Sequence, residues 1–183
     1  MQVTRLSIPD VVLVEPKIFG DHRGFFVETY AVERYREAGI DVSFVQDNLS
    51  SSTRGIVRGL HYQVERPQAK LVSVVEGRIF DVVVDIRPGS PTYGRWIGEI
   101  LDDERRRQLY VPVGFAHGFA VLSDRAVVTY KCSDLYHPVG EGGIRWDCPE
   151  IGIKWPVDAP ILSAKDAAYP SLSGARPYPT GPR

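Results

Sequence analysis

The chain is written in short apolar runs of about four to eight residues, each stopped by Gly, Pro or charged side chains. Val11–Val14, Phe25–Tyr30, Ile56–Tyr62, Leu71–Val75, Ile79–Ile86, Trp96–Leu101, Leu109–Val113, Phe119–Leu122 and Ala126–Lys131 all read as strands. Many short strands at close spacing predict an all-β sandwich, jelly roll or barrel. Glu76-Gly77-Arg78, between two Val-rich runs, reads as a hairpin turn. One segment breaks the pattern: Val32 to Ala38 holds good helix formers, and Gly39 can supply a left-handed C-terminal turn. No repeat or composition shift marks a second domain, so residues 1–183 read as one unit. From about residue 171 the Pro, Gly and Ser content predicts a loose tail.

Charge narrows the function. The chain carries 23 acidic and 22 basic residues, a balance that argues against a dedicated nucleic-acid or membrane-surface protein. Two cysteines, Cys132 and Cys148, lack metal-type spacing and suit a reducing compartment. No signal-peptide pattern or bilayer-length apolar run is visible. The expectation is a soluble cytoplasmic protein without nucleic-acid or membrane partners.

The chemistry concentrates in four stretches. Gly55 to Gln63 places Arg58 and His61 inside a β-like run, where polar groups need partners to offset their desolvation. They could tie sheets together or form a site. Val111 to Phe119 brackets His117 with Gly114 and Gly118. Both stretches resemble the two cupin motifs, but incompletely. Gly55 and His61 fit Gly-x5-His-x-His, whereas Gln63 stands at the second histidine position and the following Glu is missing. Pro112, Gly114 and His117 fit Pro-x-Gly-x2-His. A cupin metal needs three imidazoles and a carboxylate, and His22 and His137, in loop-like contexts, do not restore that set. The expectation is a cupin-type fold without a metal. Tyr130 and Asp166, in the remaining two stretches, read by themselves as a strand aromatic and a loop carboxylate. Tyr130 becomes a proton donor only if it faces a pocket.

Several motifs in order then make the chain similar to the dTDP-4-dehydrorhamnose 3,5-epimerase family, from about Val11 to Tyr169. They are Phe19-Gly20-Asp21-His22-Arg23-Gly24-Phe25-Phe26, Gln46-Asp47-Asn48, Arg58-Gly59-Leu60-His61-Tyr62-Gln63, Lys70-Leu71-Val72, Gly114 to Phe119, and Leu162-Ser163-Ala164-Lys165-Asp166. The resemblance implies a jelly-roll (cupin-like) β-sandwich with a few short helices, working as a homodimer without metal, nicotinamide or other cofactor. It implies a dTDP-linked 4-keto-6-deoxy sugar as substrate, with His61 as base, Asp166 as its partner, Tyr130 as acid and Lys70 near the ketone. Arg23, Phe26, Glu28, Gln46, Asp47, Asn48, Arg58, His117, Tyr136, Glu141 and Lys165 are the expected nucleotide- and sugar-binding positions. An epimerase acting at one centre would use the same residues; a non-catalytic sugar-binding module would need no such set.

The reaction matches these residue types. Removing a proton beside a ketone needs a base on one face, a cation at the oxygen and an acid on the other face. Arg23 and Arg58 can fork onto a pyrophosphate. One difficulty stands out: Arg58 and His61, three apart, fall on opposite faces of a regular strand unless Gly59 permits a bulge.

Overall fold

The computed structural model describes residues 1–179. Its strands are β1 (Gln2–Arg5), β2 (Val12–Glu15), β3 (Ile18–Asp21), β4 (Gly24–Val27), β5 (Gln46–Thr53), β6 (Val57–Gln63) and β7 (Lys70–Glu76), followed by β8 (Arg78–Asp85), β9 (Trp96–Asp102), β10 (Gln108–Val111), β11 (Phe115–Val121), β12 (Arg125–Cys132) and β13 (Glu141–Gly143). Two short helices, α1 (Val32–Glu37) and α2 (Ala164–Ala167), complete the regular structure with two 3-10 turns. One sheet has the order β1-β2-β10-β7-β12-β5, the second β13-β6-β11-β8-β9, and β3 and β4 form a separate ribbon. The pairings between named strands are antiparallel. The fold is the expected cupin-like β-sandwich.

Alternation along the strands decides what meets between the sheets. Val72 and Val74 of β7, Leu109 and Val111 of β10 and Val128 of β12 face Ile79 and Val83 of β8 and Phe115 and Phe119 of β11 in one buried cluster. Each such side chain contributes roughly 1.5–3 kcal/mol when fully buried. The intervening residues point outward. Leu71 and Tyr110 pack beneath Tyr35 of α1; Leu60, Tyr62, Val82 and Val84 pack beneath Ile144 and Ile151. By the same alternation Lys70 and Tyr130 from one sheet, and Asp81 and His117 from the other, project into the gap between them.

Three local expectations change. Gly77 does not close a hairpin, because β7 and β8 lie in different sheets; the turn carries the chain across the sandwich. Its φ of +83° and the approach of the Arg125 carbonyl, 2.1 Å from where a Cβ would stand, leave room only for glycine. The glycines that bracket His117 allow a sharp turn or close approach to a ligand, but the stretch is mostly strand β11, fully buried. The expected loose tail is packed as far as it is described. Leu172, Ala175 and Tyr178 lie on the outer cluster, the Tyr62 hydroxyl donates to the Arg176 carbonyl at 2.5 Å, and Arg176 pairs with Glu65 at 2.7 Å. Apolar and ionic partners on the sheet hold what its Pro-rich composition left open. Residues 180–183 of that expectation lie outside the described residues.

Candidate active site

A pocket of about 250 Å³ opens between the two sheets. Gln46 and Asn48 of β5, Lys70 of β7 and Tyr130 of β12 line it from one sheet, and His61 and Gln63 of β6 with Phe115 of β11 from the other. Tyr136 and Glu141 close one end.

His61 reaches the pocket through an irregularity in its strand. β6 and β11 pair His61 with His117 but Arg58 with Phe119, so one extra residue is accommodated on β6. Gly59 absorbs it with φ +126°, and a Cβ there would stand 2.5 Å from the Gly118 Cα and 2.9 Å from the His117 carbonyl. The slip brings Arg58 and His61 to the same side. Arg58 donates from Nε to Ser52 Oγ of the facing sheet at 2.9 Å, and its charge bears on the Tyr130 phenol.

Asp166 arrives from a distant segment. Ile161 docks beside the start of β6, giving its carbonyl to the Val57 N–H at 3.0 Å and its own N–H to Gly55 at 2.9 Å. Ser163 caps α2 by accepting from the Asp166 N–H at 3.0 Å. The Asp166 carboxylate, 4% exposed, then meets His61 Nε2 at 2.6 Å. Burial pushes this carboxyl up, but hydrogen bonds from His61, Ser163 and the Gly59 N–H outweigh it and hold the group below its ordinary range.

Opposite stand Lys70 and Tyr130, the Lys70 ammonium 5.8 Å from the Tyr130 ring centroid. Desolvation pushes the Lys70 ammonium down and the Tyr130 phenol up, so Tyr130 keeps its proton at neutral pH. At the mouth, Glu141 accepts from Lys165 at 2.6 Å and from Tyr136 at 2.8 Å. Burial raises the Glu141 carboxyl, but these two donors hold it below its ordinary range.

The fold thus gathers His61, Asp166, Lys70, Tyr130, Gln46, Asn48, Tyr136, Glu141 and Lys165, and leaves others outside this chain's pocket. Asp47, next to Asn48, points to the other face of β5 and pairs with Lys131 at 3.0 Å. His117 is buried and bonded to Asp81 at 2.8 Å. Arg23, Phe26 and Glu28 lie on or beside the β3–β4 ribbon: Arg23 pairs with Asp21, Glu28 with Arg34, and Phe26 is 67% exposed. Gln63, at the broken metal position, holds the mouth segment instead. Its amide donates to the Arg66 carbonyl at 2.6 Å and accepts from the His137 N–H at 2.8 Å. Among the described residues no group of three or more His, Cys, Asp or Glu side chains converges as metal ligands would.

Two residues not singled out from sequence belong to the setting. Tyr169 packs edge-on against His61, ring centroids 5.7 Å apart, and nothing in Ala-Ala-Tyr-Pro signals it. Asp81 was legible in principle, as a carboxylate inside a Val-rich strand with no nearby partner in sequence.

A family profile described as dTDP-4-dehydrorhamnose 3,5-epimerase matches residues 5–174. The dTDP-4-dehydrorhamnose 3,5-epimerase of Pseudomonas aeruginosa is 52% identical over 98% of this chain and 100% of its own length. A solved structure of dTDP-6-deoxy-D-glucose-3,5-epimerase from Legionella pneumophila, in complex with dTDP-4-keto-L-rhamnose, superposes with a TM-score of 0.93 at 50% identity, covering 94% of this chain and 93% of that one. A 3'-monoepimerase from Streptomyces bikiniensis, in complex with dTDP-quinovose, is also similar, with a TM-score of 0.86 at 42% identity over 92% of this chain and 86% of that one.

Proposed function

We propose, for a chain that belongs to the dTDP-4-dehydrorhamnose 3,5-epimerase family, that the pocket between its sheets converts dTDP-4-dehydro-6-deoxy-D-glucose to dTDP-4-dehydro-L-rhamnose. The observation that carries this reading is the opposition of two groups across one pocket: the His61–Asp166 pair from one side and Tyr130 with Lys70 from the other.

With one His61 ring nitrogen donating to Asp166, the other keeps its lone pair and takes the proton from the carbon beside the ketone. Asp166 then stabilises the imidazolium that forms, as the third group of a hydrolase triad does. The ketone oxygen gains charge as the carbon loses its proton, and the Lys70 ammonium meets that charge in a site shielded from water. Loss of such a stabilising group costs about 10²–10³-fold in rate. Tyr130, protonated and on the other sheet, returns a proton to the opposite face of the carbon, which inverts it. Carbons 3 and 5 both flank the carbon-4 ketone, so the same groups serve both once the ring shifts and solvent has taken the proton from His61 and returned one to Tyr130. Every step falls to a side chain of the protein and draws on no metal or nicotinamide.

The pocket lies below the about 300–1,000 Å³ of drug-sized ligand sites. It therefore takes the sugar ring, while the nucleotide extends outward past Glu141, Tyr136 and Lys165. A homodimer supplies the rest of the surface. The β3–β4 ribbon exposes Phe19, Phe25 and Phe26, and a second copy covering it would give Arg23, Phe26 and Glu28 a buried setting. The two buried free cysteines suit the reducing cytoplasm, and among the described residues no helix is long and apolar enough to cross a membrane.

The test is turnover. Purified protein mixed with dTDP-4-dehydro-6-deoxy-D-glucose should yield dTDP-4-dehydro-L-rhamnose, seen by proton NMR or by supplying a downstream ketone reductase. A folded protein that leaves the substrate unchanged would overturn the proposal.

A further inference from the structure

We propose that Asp81 is the buried counter-charge of Lys70, and that His117 is the residue that positions it. For its effect on rate this rests on the epimerase chemistry above; as a statement about charge it does not.

Asp81 sits on β8 between Ile79 and Val83, both in the inter-sheet core, so it points into the gap. It is 0% exposed. One carboxylate oxygen meets His117 Nε2 at 2.8 Å. The other is buried and, among the described residues, has no hydrogen-bond partner. A carboxylate taken wholly out of water with one oxygen unsatisfied is expensive, and such groups persist where a nearby charge compensates them.

The nearby charge is Lys70, which enters the same gap from β7. The titratable groups that line its pocket or bear on its charge are Tyr130 and Cys132 of β12, His61 and Tyr62 of β6, Asp81 of β8, Glu141 of β13 and Tyr136. Burial pushes the ammonium down, and Cys132, Asp81 and Glu141 oppose that. Cys132 does not help at neutral pH, because burial lifts its thiol above its ordinary 9.0 and leaves it uncharged. The Tyr130 phenol is neutral for the same reason. Asp166 is taken up by His61, and Glu141 already serves Lys165 and Tyr136. Asp81 is the carboxylate whose second oxygen is not engaged. His117, opposite His61 in the ladder, fixes the first oxygen and so holds the carboxylate in place.

The direct readout is the ionisation of Lys70 itself. In protein labelled with ¹³C-lysine, the Lys70 ¹³Cε resonance is assigned by its disappearance in Lys70→Met and followed against pH. Asp81→Asn keeps an acceptor for His117 but removes the charge. Its Lys70 midpoint should fall by about one pH unit or more, and the alkaline limb of kcat/KM should fall with it. His117→Gln, whose amide still donates to Asp81, leaves the midpoint near the wild-type value. His117→Leu, which cannot donate, shifts it, and an unshifted midpoint there would remove His117 as the positioning residue. An unchanged midpoint in Asp81→Asn would overturn the proposal whatever happens to activity. Wild-type protein without epimerase activity would overturn the function instead and leave the midpoint comparison standing. Should Asp81→Asn not fold alone, the double variant decides. Lys70→Met strands the buried carboxylate, so Lys70→Met/Asp81→Asn should melt at a higher temperature than Lys70→Met. Equal or lower melting would contradict the pairing.

Discussion

His61 and His117 are cross-strand partners in the β6–β11 ladder, and each imidazole is bonded to its own buried carboxylate, Asp166 at 2.6 Å and Asp81 at 2.8 Å. His61 opens to the pocket, whereas His117 is 6% exposed. In a metal-binding cupin such neighbours would share an ion; in this chain Gln63 ties down the mouth segment, and each histidine is held by an acid.

His61→Asn should keep the fold, because the asparagine amide can still donate to Asp166. It should lower proton exchange at the substrate by about 10²–10⁴-fold, the usual contribution of a general base. Near-wild-type exchange in a folded variant would remove His61 as the base.

Tyr130→Phe should separate exchange from inversion. His61 can still remove a proton and return one to the same face, so solvent deuterium should enter the substrate while little epimer accumulates. NMR of the recovered sugar reports both. Full epimerisation by this variant would assign the acid elsewhere.

Asp166→Asn should lower activity by weakening the hold on His61, and it should also change how stability depends on pH. The folded carboxyl ionises below its unfolded value of about 3.9. Its contribution to stability is therefore complete above that value and is lost as pH falls through the lower folded one. Urea unfolding of wild type and Asp166→Asn should differ most near neutral pH and converge in acid. A gap that widens in acid would contradict the assignment.

Gly59→Ala should destabilise the protein by about 2–4 kcal/mol, since it adds a side chain at positive φ and drives a Cβ into Gly118. Because the same residue sets the slip that aims His61, activity should fall even where the variant remains folded. Unchanged urea midpoints would show that the ladder can relax there.

The sandwich was legible because β2, β7, β8, β9 and β12 carry their apolar residues at strand spacing, and α1 ends where Gly39 turns left-handed. β5 was not legible. Gln46–Thr53 is almost wholly polar, and it becomes a strand because it pairs along its full length with β12 at the sheet edge, where one face stays wet. Nor could local residues say that the turn at Gly77 changes sheets, since β7 pairs with β10 and β12 while β8 pairs with β9 and β11, all of them later in the chain. At the site, the incomplete cupin motifs pointed to His61, but pairing with Asp166 spans 105 residues and came from family resemblance. The Arg58–His61 difficulty was visible, and the slip at Gly59 resolves it. Asp47 shows the opposite limit: a motif places it beside Asn48, yet strand alternation turns it away from the pocket.

The most direct measurement is to run the reaction in heavy water with dTDP-4-dehydro-6-deoxy-D-glucose and locate deuterium in the product by NMR. The His61–Lys70–Tyr130 site predicts label at both carbon 3 and carbon 5 of an inverted sugar. Label at one carbon alone would make the protein a single-centre epimerase like the Streptomyces bikiniensis relative, and label at neither would contradict proton transfer at this pocket altogether.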